Sequence, residues 1–274
     1  MSTDWLTVRR GQAPLVIAVP HAGTDLPGAL ATRFVSPWLA RKDADWWIDD
    51  LYAFAADALD ATIVATGISR SVIDVNRDPS GASLYPGQAT TDLCPVTTFD
   101  GDPLYKNDAE PGTAEIAERR VTWFDPYHAQ LAAEIARLRE SNDRVVVYDA
   151  HSIRSHVPRL FDGELPLFNI GTNSNATCAP ELGATIEQLC AGSGYSHVRD
   201  GRFKGGWTTR HYGQPHTGVH AVQMELAMRG YLDEPAMVDP AAWPRPLDPR
   251  RAAPVQAVLR QILQACLTFA RTPA

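Results

Sequence analysis

Two histidines have the residue type and spacing of metal ligands. His21 directly follows an apolar run at residues 15–19, and His151 closely follows another at residues 144–148. Both runs are short and rich in β-branched residues, which is typical of buried strands. Both imidazoles are therefore expected at the carboxyl ends of strands, where open α/β sheets form their sites. Two imidazoles at equivalent places favour a metal site over two unrelated structural histidines.

A metal site of this kind needs a third ligand. Hydrolytic zinc sites use three protein ligands from histidine and carboxylate side chains and leave the fourth position to water. The nearest carboxylates form the acidic cluster of Asp43, Asp45, Asp49 and Asp50. The composition of this cluster does not choose among the four, and Asp43 or Asp45 alternatively caps the helix that follows.

The segment 69–79 contains side chains that are suited to bind a carboxylate. Arg70, Asn76 and Arg77 surround a short apolar run, predicted as a strand at residues 71–75. Arginine offers the bidentate geometry that a carboxylate accepts, so the two guanidinium groups and the amide are expected to converge on an anion. Alternatively, both arginines are structural and bond loop carbonyls or Asp74.

Glu225 interrupts an apolar run and is a candidate general base. In residues 220–226, strand alternation turns Val222, Met224 and Leu226 to one face and Glu225 to the other. A carboxylate in such surroundings is costly unless it is paired or functional. The alternative is a structural ion pair with an arginine, for example Arg210.

The predicted elements that position these residues alternate between strands and helices. Further strands are predicted at residues 62–65, 167–171 and 221–226, and helices at 45–59, 113–140 with an interruption at Pro126, 181–191, and 254–270 with Pro254 in its first turn. Residues 78–102 are predicted as a long loop, and residues 201–213, with Lys204, Arg210 and His211, as a loop that can fold over a site. This order predicts a single α/β domain over residues 1–274, with a mainly parallel or mixed central sheet and helices on both faces.

Composition and charge narrow the possible functions. The 274 residues are 45% hydrophobic and 21% charged, enough for one sizeable core. A net charge of -7 without any basic run argues against a nucleic-acid partner, although local arginines can still bind a small anion. No stretch approaches the roughly 18 apolar residues of a membrane span, and no secretory signal is visible, so a cytoplasmic protein is predicted. The four cysteines lack a CxxC pair and are expected to be reduced and structural.

Several motifs occur in order along nearly the whole chain: Pro20-His-Ala-Gly-Thr24, Asp43-Ala-Asp-Trp46, Ile48-Asp-Asp-Leu-Tyr52, Ser69-Arg70, Asp74-Val-Asn-Arg77, Asp149-Ala-His-Ser-Ile-Arg154, Lys204-Gly-Gly206 and Thr209-Arg-His-Tyr-Gly213. In this set the chain resembles the N-formylglutamate amidohydrolases, also called formylglutamate deformylases, which act in histidine degradation. Residues 158–166 and 169–172 resemble the formylglutamate branch rather than its distant relatives, the zinc carboxypeptidases and aspartoacylases.

The resemblance implies a zinc-carboxypeptidase-like fold and one zinc ion per chain, or another divalent metal, bound by His21, Asp45 and His151. The His-x-x-Glu pair of the distant relatives is absent, because residue 24 is Thr24 rather than Glu. Asp45 is chosen because those relatives retain an aspartate at its place, with Asp43 and Asp49 as alternatives.

The resemblance also implies roles for the remaining residues. Metal-assisted hydrolysis of N-formyl-L-glutamate to L-glutamate and formate needs a base, and Glu225 is expected to pass the proton of water to the leaving amine. Residues expected to bind this small anionic N-acyl amino acid are Arg70, Asn76, Arg77, His211 and Arg210, the last also on the oxyanion. The rival functions are another N-acyl amino acid deacylase or a carboxypeptidase of the same superfamily, and a non-catalytic α/β binding protein. A monomer or a small homo-oligomer is expected.

Overall fold

A seven-stranded mixed sheet forms the centre of residues 4–272, the part of the chain described by this computed structural model. In spatial order the strands are β1-β3-β2-β4-β7-β5-β6. Four neighbouring strands, β3, β2, β4 and β7, run parallel, whereas β1 and the β5–β6 pair run antiparallel to them at the two edges. The strand bounds are β1 Leu6–Arg9, β2 Leu15–Val19, β3 Thr62–Thr66, β4 Val145–Ile153, β5 Phe168–Gly171, β6 His197–Arg199 and β7 Val219–Ala227.

Helices cover both faces of the sheet. Alternate residues of the fully buried strand β2 point to opposite faces, so Leu15 and Ile17 pack with α2, α6 and α8, and Val16 and Ala18 pack with α5. The prediction of a single α/β domain with a mixed sheet between two helical layers is confirmed. The helix bounds are α1 Gly28–Ala31, α2 Ile48–Tyr52, α3 Phe54–Leu59, α4 Thr113–Arg119, α5 Asp125–Arg139, α6 Pro180–Gly192, α7 Trp207–Tyr212 and α8 Pro249–Arg271.

The predicted strand at residues 71–75 is wrong, because this segment forms turns. Its apolar residues Val72, Ile73 and Val75 are buried, so the pattern indicated burial correctly but not strand pairing. The side chain of Asp74 accepts a hydrogen bond from the backbone N–H of Asn76 at 2.9 Å, which bends the chain instead of extending it.

Helix ends differ from the predictions where local signals compete. The helix predicted at residues 45–59 begins only at Ile48, after Trp47 with a positive φ of 62°, and it is divided into α2 and α3. The last helix begins earlier than predicted, because Asp248 caps it and Pro249 occupies its first turn, which leaves Pro254 inside the helix. The helix predicted at residues 113–140 is interrupted slightly before Pro126, by a π-helical turn at Arg120–Phe124, and Pro126 lies in the first turn of α5.

The structure also describes the state of the cysteines and the character of the helices. The four cysteines are buried and free. Within residues 4–272, no helix combines the length and the apolar character that crossing a membrane requires. Strands β1 and β6 and helix α7 were not predicted; α7 lies inside the segment predicted as a loop at residues 201–213.

Candidate active site

The central strands bring the candidate residues to one edge of the sheet. His21 lies two residues beyond the end of β2 at Val19. The sequence predicts His151 after the end of its strand. Strand β4 instead continues to Ile153, so His151 lies within it. The parallel register of β4 and β7 pairs His151 with Glu225. The polar end of β4 therefore remains paired with β7, and His151 lies opposite the carboxylate of Glu225.

Three side-chain atoms that can coordinate a metal, the donor atoms of the site, converge at this edge. His21 Nδ1 lies 3.1 Å from His151 Nδ1 and 3.8 Å from Asp45 Oδ2, and His151 Nδ1 lies 3.2 Å from the same oxygen. Ligand atoms around tetrahedral zinc are about 3.3 Å apart, given zinc–ligand distances near 2.0–2.1 Å. Two imidazole nitrogens that face each other at such a distance repel unless a proton or a cation lies between them. The three buried residues therefore fit a zinc ion or a similar divalent metal.

The outer nitrogen of each imidazole faces a buried carboxylate. His21 Nε2 lies 2.7 Å from Asp74 Oδ1, and His151 Nε2 lies 3.0 Å from Asp149 Oδ1. Such contacts fix the ring orientation of metal-binding histidines and leave the other nitrogen directed inward. Neither Asp74 nor Asp149 was predicted as a site residue. One feature of the sequence could have identified Asp149. It lies two residues before His151, so the two side chains share a face if both residues belong to one strand.

Among the clustered aspartates, the fold brings Asp45 to the histidines. Its Oδ2 also accepts a hydrogen bond from the backbone N–H of Ser152 at 3.0 Å. The carboxylate of Asp43 instead accepts the N–H of Phe99 at 2.6 Å, and the first turn of α2 exposes Asp49 to solvent, together with its neighbour at position 50. Burial by itself raises the pKa of Asp45, but its hydrogen bond to His151 and the charges of His21 and Arg70 outweigh burial and lower it.

Glu225 is buried beside the three donor atoms. The predicted alternation is confirmed, since Val222, Met224 and Leu226 belong to the core on the opposite face. The Glu225 carboxylate accepts a hydrogen bond from Gln223 Nε2 at 3.1 Å. Burial raises the pKa of Glu225 to about 7, with Asp45 adding to this shift and His151 opposing it. A carboxyl group with a pKa in this range both accepts and returns protons near neutral pH.

Arginines line the cavity above this group. The Arg70 guanidinium bonds Asp45 at 3.3 Å and Asp74 at 2.7 Å. Arg77 donates from Nε to the carbonyl and from Nη2 to the hydroxyl of Thr91, and lies 3.7 Å from Asp74. The structural pairing with Asp74 that the sequence left open is therefore present, although both arginines also form cavity wall. Other wall residues are His21, Asn76, Tyr85, Phe99, His151, Leu160, Arg202, Phe203 and Glu225.

The amide of Asn76 is bonded within the protein. Its Nδ2 donates to Asp149 Oδ2 at 3.2 Å and contacts His151 Nε2 at 2.8 Å, and its Oδ1 accepts the N–H of Thr208 at 2.7 Å. This arrangement requires a glycine at residue 206, because a Cβ on Gly206 would lie 2.4 Å from Asn76 Nδ2. In this structure Asn76 therefore holds Asp149, the carboxylate next to His151, and connects it to helix α7.

Two predicted residues do not reach the cavity wall. Helix α7 turns Thr208 and Thr209 toward the sheet, so the adjacent Arg210 and His211 lie on its outer side. Arg210 donates to the carbonyl of Gly205 at 2.9 Å and stacks over the ring of Tyr85. His211 is exposed and stacks on Trp207 at 4.8 Å. The glycines of this segment predict a loop, in which no helical face can be assigned to Arg210 or His211.

Tyr85 and Arg202 were not predicted as site residues, although both form part of the cavity wall. Tyr85 lies in the predicted loop at residues 78–102, and its hydroxyl donates to the carbonyl of Gly205 at 2.9 Å. That loop therefore covers one side of the cavity. No local pattern marks either residue, because the loop and the segment around Arg202 meet only in the folded chain.

An α/β sheet that gathers two histidines, a carboxylate and a separate buried glutamate under an arginine-lined cavity defines a hydrolytic enzyme. The family model described as N-formylglutamate amidohydrolase matches residues 13–232. The chain belongs to this family of amidohydrolases, as the resemblance of its motifs implied.

Relatives of known name cover nearly the whole chain. An N-formylglutamate deformylase of Pseudomonas aeruginosa is 46% identical over 97% of this chain and 97% of its own length. An N-formylglutamate deformylase of Pseudomonas putida is 45% identical over 96% of each chain. The crystal structure of an N-formylglutamate amidohydrolase from Ralstonia eutropha JMP134 aligns with a TM-score of 0.78 over 97% of this chain and 98% of that one, at 23% identity. At that identity, the structural match establishes a shared fold.

Proposed function

We propose that this enzyme hydrolyses N-formyl-L-glutamate to L-glutamate and formate, as a step of histidine degradation, with zinc bound by His21, Asp45 and His151. The observation that carries the proposal is the convergence of three donor atoms next to the buried carboxyl group of Glu225. The Pseudomonas relatives are named for this substrate, which supports its assignment here.

The residues around the three donor atoms have distinct parts in this proposal. A zinc ion bound there supplies Lewis acidity toward the formyl oxygen and a lowered pKa for water. Asp74 and Asp149 hold the imidazoles with Nδ1 inward. Arg70 lies on the cavity wall beside the donor atoms, where its positive charge stabilises the oxygen that becomes negative during attack. We assign the oxyanion role to Arg70 instead of Arg210, because Arg210 stacks over the ring of Tyr85 and does not line the cavity.

Glu225 moves the proton. Its carboxylate accepts a proton from the attacking water and delivers it to the amide nitrogen as the C–N bond breaks, which yields formate and the free amine. The position opposite His151 in the adjacent strand supports this role, because one carboxylate must reach both the water and the leaving nitrogen. Gln223 holds one carboxylate oxygen by its hydrogen bond and leaves the other for the proton transfer.

Arginines select an anionic substrate in spite of the acidic chain. Arg77 is fixed by Thr91 through two hydrogen bonds and lies on the cavity wall. Asn76 precedes it and holds Asp149, the carboxylate next to His151, so the segment joins substrate binding to the metal ligands. We assign the α-carboxylate of the substrate to Arg77, because that carboxylate is the one near the scissile amide.

Formate release from N-formyl-L-glutamate tests this function directly. Purified enzyme is expected to contain about one zinc ion per chain, to lose activity with a chelator and to regain it with added zinc. N-acetyl-L-glutamate and N-formyl-L-methionine serve as controls for the acyl group and for the acidic side chain. Equal kcat/KM for all three compounds, or full activity in metal-free enzyme, would contradict the proposal.

A single variant tests the proton-transfer role. Glu225→Gln is expected to keep zinc and lower kcat by about 10²-fold or more, the contribution of a positioned acid–base group. Glu234→Gln is the matched control, because Glu234 is another largely buried glutamate, which bonds Ser155 away from the donor atoms. The control variant should lose stability but remain active. A folded, zinc-loaded Glu225→Gln enzyme with normal kcat would remove this residue from the mechanism.

A further inference from the structure

The cavity contains one guanidinium group that the proposed mechanism leaves without a ligand, and it belongs to Arg202. We propose that Arg202 binds the side-chain carboxylate of the substrate and so determines the preference for an acidic side chain. This inference rests on the proposed function, which supplies a substrate with two carboxylates.

The other two arginines of the cavity are not equally available. Both terminal nitrogens of Arg70 bond aspartates, Asp45 on one side and Asp74 on the other. Its planar face lies over the ring of Phe99, with 4.8 Å between the guanidinium carbon and the ring centroid. Arg70 is therefore fixed in place by two aspartates, beside the oxygen it is proposed to stabilise, and is not free to bind a substrate carboxylate. Of these two arginines, only Arg77 has a terminal nitrogen, Nη1, without a hydrogen-bond partner in the described chain. One arginine does not suffice for two substrate carboxylates, so a second cation is required.

Arg202 has the properties of an anion-binding group that is already oriented. Its Nε donates to the carbonyl of Leu160 at 2.8 Å, and its Nη2 donates to the carbonyl of Ala89 at 2.7 Å. In the described chain, its Nη1 has no hydrogen-bond partner, and no carboxylate lies within ion-pair distance. The guanidinium also packs near the rings of Phe203 and Tyr85, at 5.2 and 5.4 Å. Two backbone carbonyls thus hold the group while one edge stays open.

The electrostatic environment of Arg202 favours an incoming anion. Burial lowers the pKa of its guanidinium, and the like charge of Arg77 adds to this shift. A half-buried cation that lacks a counter-ion and faces another cation gains more from a bound carboxylate than an exposed arginine does. Arg202 and Arg77 line the same cavity, and two cations in one cavity suit a dianion better than a monoanion.

The position of Arg202 in the cavity matches the second carboxylate and not the first. Arg77 follows Asn76, which touches His151, so Arg77 lies on the side of the metal ligands, as the carboxylate next to the scissile amide requires. Arg202 is held by the carbonyls of Leu160 and Ala89, which belong to two irregular segments outside the sheet that also line the cavity. In the proposed binding mode, the formyl group lies at the donor atoms and the side-chain carboxylate, at the other end of the substrate, lies at Arg202.

A comparison of two substrates isolates the side-chain carboxylate. N-formyl-L-glutamine keeps every group of N-formyl-L-glutamate except that charge. Arg202→Met is expected to lower kcat/KM for N-formyl-L-glutamate by about 10- to 100-fold, the effect of a lost charge-assisted hydrogen bond, and to leave N-formyl-L-glutamine nearly unchanged. Arg202→Lys should lose less. Arg199→Met is the control, because Arg199 lies on β6 and pairs with Glu187 instead of lining the cavity.

The outcomes separate this inference from the proposed function. Equal losses on both substrates in a folded Arg202→Met enzyme, or no loss on either, would overturn the role of Arg202 while leaving the deformylase activity intact. Formate release from neither substrate by the wild-type enzyme would refute the proposed function. In that case, calorimetry with L-glutamate and L-glutamine still decides: wild-type protein should bind glutamate more tightly, and Arg202→Met should abolish the difference. A difference that persists in the variant would overturn the inference.

Discussion

Replacement of Asp74 by asparagine is the sharpest test of how this site is held together. One carboxylate contacts His21 Nε2 at 2.7 Å, Arg70 at 2.7 Å and the backbone N–H of Asn76 at 2.9 Å, with Arg77 at 3.7 Å. Burial by itself raises the pKa of Asp74, but the charges of Arg77, His21 and Arg70 hold it well below its usual range. Asp74→Asn keeps the shape of the side chain and removes its charge.

Two effects of known scale should follow from this replacement. The loss of a carboxylate on the outer nitrogen of a ligating histidine typically costs about 10- to 100-fold in metal affinity, or about 1.4–2.7 kcal/mol. Breaking a buried ion pair costs about 3–5 kcal/mol, and the lower end applies here because Arg70 keeps Asp45 at 3.3 Å. Asp74→Asn should therefore weaken both zinc binding and the metal-free fold.

Competition with a chelating dye measures the zinc affinity of Asp74→Asn, and urea denaturation of the metal-free protein measures its stability. Asp43→Asn is the control, since Asp43 is also buried and pairs with Arg154 at 3.4 Å without touching either histidine. The control should lose stability and keep zinc affinity. A folded Asp74→Asn protein that binds zinc as tightly as the wild type would refute the idea that Asp74 orients His21.

Three other predictions follow from single positions. Asp45→Asn should abolish metal binding while Asp49→Asn, at an exposed position, should preserve it; elemental analysis decides, and zinc retained by Asp45→Asn would contradict the assignment. Gly206→Ala should lower kcat/KM by about 10²-fold because the new Cβ would displace Asn76, a result that steady-state kinetics checks. Burial lowers the pKa of His128 from 6.5 to about 4, so the unfolded chain takes up the proton first as the pH falls. The free energy of unfolding should then decrease between those two pH values by up to about 3 kcal/mol, and His128→Gln should flatten this part of the denaturation profile.

The sequence alone determined the features that depend on neighbouring residues. Short β-branched runs marked β2 and the first part of β4, and alternation showed that Glu225 turns away from the core. Proline marked the interruption before α5. These signals are local because burial of a face depends on residues two to four positions apart. The apolar run at residues 71–75 is compatible with a buried strand and with a buried turn. Burial was therefore predicted correctly there, and the backbone conformation was not.

Only the tertiary structure decided which of these residues act together. Four aspartates of one cluster are nearly equivalent in sequence, and the position of His151 in β4 selects Asp45. Asp74 became a partner of His21, and Arg202 became part of the cavity, through contacts between segments that are distant along the chain. Hydrophobic periodicity specifies which face of an element is buried, but not what packs against it. The distances that define a metal site or a carboxylate subsite are set by that packing, and therefore emerge only when the chain is folded.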